Sequence, residues 1–254
     1  MKRSLLFLSA ICMGVVLDGC KGKDGDPGPA ASAVTGNING FVNAVDQNGT
    51  ALNKSGITVS LEGANTAITT STNADGKYEF PNVKAGTYNL SYTRTGLAPF
   101  RRFGVGHVGG DQPTYLGTLT QSQVSTLTVP SLQAFSSPST SSVTFDLNVS
   151  SPAPTTTFRY AMFASATPNV SPTSATLVFT GSAFVTSPTT FYSFSTSVAR
   201  TTLTNAGFAS GSTVYMAAFG SSAFLASYSD PATGKFVYPS INPAASPVVS
   251  IVMP

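Results

Sequence analysis

The sequence predicts an all-β protein, two tandem antiparallel β-sandwiches behind a removable leader and a short flexible tether. Three observations carry that prediction. Apolar and polar residues alternate with period two in short runs between residues 38 and 252, the pattern of half-buried strands. Gly, Asn, Asp and Pro punctuate those runs, as hairpin turns require. No window of eleven or more residues keeps a helical period with caps. The 254 residues are 41% hydrophobic, enough for packed cores, and only 9% are charged, against about 25% in an average soluble protein. That balance excludes a charged disordered chain, a coiled coil and an electrostatic nucleic-acid binder, so no nucleic-acid partner is expected. The net charge of +3 becomes +2 once Lys2, Arg3 and Asp18 leave with the leader, and the charges are scattered.

The N-terminus reads as a processing signal. Lys2 and Arg3 precede an uninterrupted apolar run over 4–17, too short to span a bilayer. The run ends in Leu17, Asp18, Gly19 and Cys20, which resembles the lipobox of bacterial lipoproteins. Leu17 and Gly19 fit that pattern, and Asp18 replaces its usual small apolar residue. The resemblance implies a signal peptide over 1–19 and lipidation at Cys20, hence a membrane partner reached through the N-terminal lipid. Cys12 would be discarded, so the exported chain would have no disulfide and would depend on its core. Gly22, Gly25 and Gly28 recur every third residue, but three triplets cannot nucleate a triple helix. Residues 20–35 are expected to form a flexible tether. Its charged start resembles the surface-export signals of Bacteroidetes lipoproteins, although those are more acidic.

Residues 36–120 contain seven alternating runs, at 38–45, 57–62, 67–72, 77–80, 87–92, 103–108 and 115–119. Asn48-Gly49 and Asp75-Gly76 supply the clearest turns between them. This segment is expected to fold alone. The succession Gly40-Phe41-Val42, Asn48-Gly49-Thr50-Ala51-Leu52, Ile57-Thr58-Val59-Ser60-Leu61, Asp75-Gly76-Lys77-Tyr78-Glu79-Phe80 and Ala85-Gly86-Thr87-Tyr88-Asn89-Leu90 is similar to the carboxypeptidase regulatory-like domain. The resemblance implies a seven-stranded, transthyretin-like sandwich, also classed as carbohydrate-binding-like, serving as an accessory module. It implies no catalytic residues, because the family's zinc peptidase chemistry sits in a separate domain.

Residues 121–254 form the second expected domain. Ser and Thr make up 47 of these 134 residues, and only Asp146, Arg159, Arg200, Asp230 and Lys235 are charged. Alternating runs at 143–149, 158–164, 175–179, 191–195, 214–219 and 248–252 argue for strands and against a mucin-like stalk. Thr202-Leu203-Thr204 followed by Gly211-Ser212-Thr213-Val214-Tyr215 resembles the E-to-F strand passage of fibronectin type III domains, with Tyr215 as the corner tyrosine. This implies an immunoglobulin-like sandwich.

Groups for chemistry are scarce. His107 is the one histidine; without a second His or a free Cys it cannot head a zinc site. It is expected at the surface or a strand edge, and dispensable. Glu62 and Glu79 are the only glutamates, and a sandwich face offers no cleft between them for glycosidase chemistry. Asp46 with Asn48, and Asn73 with Asp75, fall short of a calcium ligand set and are explained as hairpin turns. Tyr78, Phe80, Tyr88, Tyr92, Phe100, Phe103 and Tyr115 could stack on sugar rings, but most must be core. Arg101 and Arg102, the only adjacent basic pair outside the leader, are candidates with Phe103 for a ligand face toward an anionic glycan; the alternative is a solvated loop.

The sequence therefore points to a non-enzymatic, lipid-anchored cell-envelope protein, expected in the outer membrane and facing either the periplasm or the cell surface, whose binding modules serve adhesion or contact a glycan or another envelope protein. No cofactor and no metal are expected. The second reading is a structural spacer or accessory partner of an outer-membrane transporter, a context in which the first module's family often occurs. The third is a hydrolase in the second domain, opposed by the lack of His in 108–254.

Overall fold

The structure is a computed structural model that describes residues 34–63 and 67–254. The leader, Cys20 and nearly all of the expected tether lie outside the described residues. Residues Ala33–Pro254 form one compact unit, whose regular secondary structure is strand apart from one short helix.

The first sandwich uses β1 (Thr35–Val45), β2 (Thr58–Glu62), β3 (Ile68–Ser71), β4 (Lys77–Lys84), β5 (Gly86–Thr93), β6 (Phe100–His107) and β7 (Thr114–Ser122). They form a three-stranded sheet, β4-β1-β7, against a four-stranded sheet, β3-β2-β5-β6. Alternation decides which side chains are enclosed: Ile38, Val42, Val59, Leu61, Tyr78, Phe80, Tyr88, Leu90 and Tyr92 make one core. The two turns share one device. The side-chain oxygen of Asp46 accepts from the backbone N–H groups of Asn48 and Thr50, and that of Asn73 from those of Asp75 and Lys77. Gly49 and Gly76 then take the positive φ, +95° and +82°, that each turn needs.

One pair departs from the antiparallel expectation: β1 and β7 run parallel. The cause is where β6 ends. The loop after His107 is tied to the start of β1 by the Gly110 N–H donating to the Thr35 carbonyl at 2.9 Å. The chain therefore re-enters the first sheet at the beginning of β1 and has only β1's own direction in which to run.

The second sandwich comprises β8 (Thr128–Phe135), β9 (Ser142–Ser165), β10 (Leu177–Ala199), the short helix α1 (Arg200–Asn205), β11 (Thr213–Gly220), β12 (Tyr228–Asp230), β13 (Lys235–Val237) and β14 (Val249–Val252). Its centre is a single hairpin of 24- and 23-residue strands. In the first half of β9 the odd residues Val143, Phe145, Leu147 and Val149 enter the core; in the second half the even residues Phe158, Tyr160, Met162 and Ala164 enter the same core. This change of parity falls where Pro152 and Pro154 face the stretch holding Pro188, and the pairing register shifts there, between Phe184 and Phe191. Proline removes ladder donors, so the hairpin bends and its two halves face each other. Across the fold Phe158 stacks on Tyr192 at 5.7 Å, and the Tyr160 ring meets that of Phe194 at a tilt, 5.6 Å away. β8 pairs with the first half of β9, and β11 with the second.

Four of the expected runs are thus merged into two strands. Thr202-Leu203-Thr204 lies on α1 and not on a strand, because the chain leaving β10 turns there to bury Leu203.

Candidate functional site

The two sandwiches meet through polar groups. The Ser122 and Ser222 hydroxyls lie 3.0 Å apart, and the hydroxyls of Ser122, Ser222 and Ser240 all reach the Phe224 carbonyl at 3.0–3.2 Å. All three serines are buried. Gln47, in the turn after β1, accepts from the Thr126 N–H and hydroxyl through its side chain and from the Ala223 N–H through its carbonyl. Buried polar groups satisfied this way fix the orientation of the parts they join.

Beside this junction the β12–β13 hairpin lies against β6. It forms an open depression of about 450 Å³ lined by Phe100, Arg101, Arg102, Phe103, Leu119, Tyr228, Ser229 and Pro231. The Tyr228 ring meets Phe100 edge-on at 5.3 Å and Phe103 tilted at 6.0 Å. Burial raises the pKa of the Tyr228 hydroxyl, a shift opposed by Arg101 and reinforced by Asp230.

The expected ligand-face residues Arg101, Arg102 and Phe103 are here, on strand β6 and not on a solvated loop. The two arginines have separate engagements. Arg101 donates to Glu62 at 2.5 Å, and its guanidinium lies 4.9 Å over the Phe103 ring. Arg102 donates to the Leu116 carbonyl at 2.7 Å, joining β6 to β7 of the other sheet. Consecutive strand residues face opposite ways, which is why the pair divides. Gly104, at φ +66°, forms a bulge whose N–H donates to the Asn89 side chain. The bulge lets Val105 resume the inward alternation while Phe103 stays at the rim.

Tyr228 is the residue that sequence reasoning missed. Its signal was the turn cluster Asp230-Pro231-Ala232-Thr233-Gly234 between two short apolar runs. The Asp230 side chain caps that turn by accepting from the Ala232 N–H and the Thr233 hydroxyl.

Other candidates are occupied structurally. His107 corrects its expected place: it is 3% exposed, because it follows Val105 on the inward face of β6. Its ring spans 2.7 Å from Nδ1 to the Thr114 hydroxyl and 3.1 Å from Nε2 to the Val83 carbonyl. A carbonyl only accepts, so Nε2 carries the proton. Glu62 and Glu79 sit on different sheets; Glu79 pairs with Lys77 at 3.1 Å and accepts from Asn37. Tyr78, Phe80, Tyr88 and Tyr92 are buried, whereas Tyr115 is exposed. Among the described residues no group of three or more His, Cys, Asp or Glu is placed to hold a metal ion.

Residues 37–130 match the family model of the carboxypeptidase regulatory-like domain. That stretch contains all but the start of the first sandwich, together with the beginning of β8. No curated protein matches the chain significantly. Among solved structures, a proposed carbohydrate-binding protein of Bacteroides uniformis ATCC 8492 is 15% identical, with 87% of this chain and 100% of that one covered and a TM-score of 0.33. A DUF3823 family protein of Parabacteroides merdae ATCC 43184 is 14% identical over the same shares, with a TM-score of 0.29. The full-length major pilin SpaD of Corynebacterium diphtheriae is 15% identical, covering 85% of this chain and 65% of its own, with a TM-score of 0.27.

Proposed function

We propose that a carboxypeptidase regulatory-like sandwich, matched over residues 37–130, serves here as part of a non-enzymatic binding protein of the cell envelope. The chain is anchored by lipid at Cys20 and presents the depression at β6 to a glycan. The observation that carries this reading is the meeting of Phe100, Phe103 and Tyr228, drawn from both sandwiches, next to the Arg101–Glu62 pair. Aromatic surface receives the C–H face of a pyranose ring, and the planar guanidinium and carboxylate beside it suit hydroxyl groups. Because Arg101 is already neutralised by Glu62, the geometry favours a neutral sugar over the anionic glycan expected from the arginine pair alone.

The spacer reading, as an accessory partner of an outer-membrane transporter, draws on a different observation, the serine-sealed junction that fixes one sandwich against the other. The hydrolase reading has little support, because Asp146 and Asp230 in the second sandwich are engaged by Ser195 and by their own turn.

A glycan array followed by titration calorimetry on the full chain tests the proposal. Tyr228→Ala and Phe103→Ala should each weaken binding of any captured glycan about tenfold, the order expected from losing one stacked ring, with the melting transition retained. Equal binding by wild type and both variants, or capture of no glycan, would overturn it.

A further inference from the structure

Strand β10 has an edge that the rest of the described residues leave open. Among the described residues it pairs with β9 and with no other strand, and not one of its 23 residues is buried. Among the described residues no backbone hydrogen bond from another segment reaches its outer side. Long free edges are templates for further pairing, and proteins blunt them with short strands, inward charges, lysine or covering loops. β10 has none of these: from Leu177 to Ala199 it contains no Asp, Glu, Lys or Arg, its single proline is Pro188 in the bend, and Phe184 and Phe191 are 70% and 48% exposed.

We infer that this edge is an interface for a second copy of the chain, joined β10 to β10 in antiparallel register about a two-fold axis. A row of free N–H and C=O groups specifies its occupant as an extended strand, since nothing else meets donors and acceptors at alternating positions. The chain's own second copy fits best for two reasons. Self-pairing usually sets like charges against each other, and a strand without charges escapes that cost. The second half of β10 also reads nearly the same in both directions. Centring the axis on Ser195 puts Ser193 opposite the Ser197 of the other copy, Phe194 opposite Thr196 and Tyr192 opposite Val198. Hydroxyls then meet on the outer face. On the inner face the half-buried rings of Tyr192 and Phe194, which already pack against the core, are covered. A two-fold contact of this kind closes and does not propagate into a fibre.

Charge exchange on the full chain tests the register. Ser193→Lys/Ser197→Lys sets lysine against lysine at both pairs, and Ser193→Glu/Ser197→Glu sets glutamate against glutamate. Analytical ultracentrifugation should find wild type dimeric. Each double variant should have its dimer dissociation constant raised about tenfold or more, and an equimolar mixture of the two should be dimeric again as the mixed species. Both substitutions are on exposed positions, and circular dichroism shows whether each variant keeps its β structure. Wild type that stays monomeric at its highest attainable concentration would overturn the proposal, including the case in which a strand from a different protein is found on the edge. So would homodimers that persist in both charged variants, or a mixture that fails to re-form the dimer.

Discussion

The hydroxyls of Tyr78 and Tyr92 meet 2.9 Å apart inside the first sandwich, their rings edge to face at 5.8 Å. Each phenol is the other's hydrogen-bond partner, enclosed by apolar side chains of the core. Tyr78→Phe or Tyr92→Phe should cost about 1–2 kcal/mol in urea unfolding, since the remaining hydroxyl stays buried without a partner, and the double variant should cost less than the two singles added. Burial holds both phenols above the ordinary value of 10.0. Their stabilising contribution is therefore intact below pH 10 and is lost as pH rises past it, where the unfolded chain releases protons that the folded chain retains. Thermal melts across that range should fall less steeply for the double variant; parallel curves would contradict this account.

His107 joins the two sheets of the first sandwich, from β6 across to Val83 on β4 and Thr114 on β7. His107→Ala should lower unfolding free energy by about 2 kcal/mol or more, combining a cavity with two unpaired polar groups. His107→Gln, which retains a donor and an acceptor, should recover part of that. Wild-type stability in the alanine variant would show that neither bond matters.

The end of β7 bears on where the first sandwich can be cut. The Gln121 amide donates to the carbonyls of Tyr92 and Ala98 at 3.0 Å each, and the Ser122 carbonyl accepts from the Ala98 N–H at 2.8 Å. A fragment ending at residue 120 loses all three bonds, together with the Gln123 N–H bond to the Val45 carbonyl and the pairing of Gln121 and Ser122 with β1. At roughly 1 kcal/mol per bond it should be about 4 kcal/mol or more less stable than one ending at 124. Circular dichroism melts of the two fragments measure the difference, and identical midpoints would count against it.

Cys20 is testable independently of the fold. A clickable fatty acid fed to expressing cells should label the wild-type chain and leave Cys20→Ser unlabelled; equal labelling of both would remove the lipid anchor from the proposal.

The seven strands of the first sandwich were legible because each apolar run is short and is followed by a turn whose chemistry is local, as at Asp46-x-Asn48-Gly49 and Asn73-x-Asp75-Gly76. The second sandwich was legible only in pieces. Pro152, Pro154 and Pro188 read as breaks between strands, whereas here they bend two strands that continue through them. β8 does not show as a run because Pro130 interrupts it, a residue tolerated there on a strand that among the described residues pairs with β9 alone. Within the candidate site, Phe100 and Arg101 to Phe103 were visible as a cluster. Tyr228 was not, because its place beside them depends on how the second sandwich folds back onto the first, and no local pattern records that.

The parallel run of β1 beside β7 also decides how the first sandwich bears tension. The chain enters at Thr35, the start of β1, and leaves at Ser122, the end of β7. Because the two strands point the same way, pulling on those ends slides one along the other and does not peel them apart. Every pair from Ile38 with Thr114 to Val45 with Ser122 is strained at once, where a hairpin pulled from its open end would yield one rung at a time. Rupture under load follows the height of the unfolding barrier and not the equilibrium stability. A chain held at its N-terminus and tugged from beyond residue 122 thus meets a mechanical clamp in this sandwich.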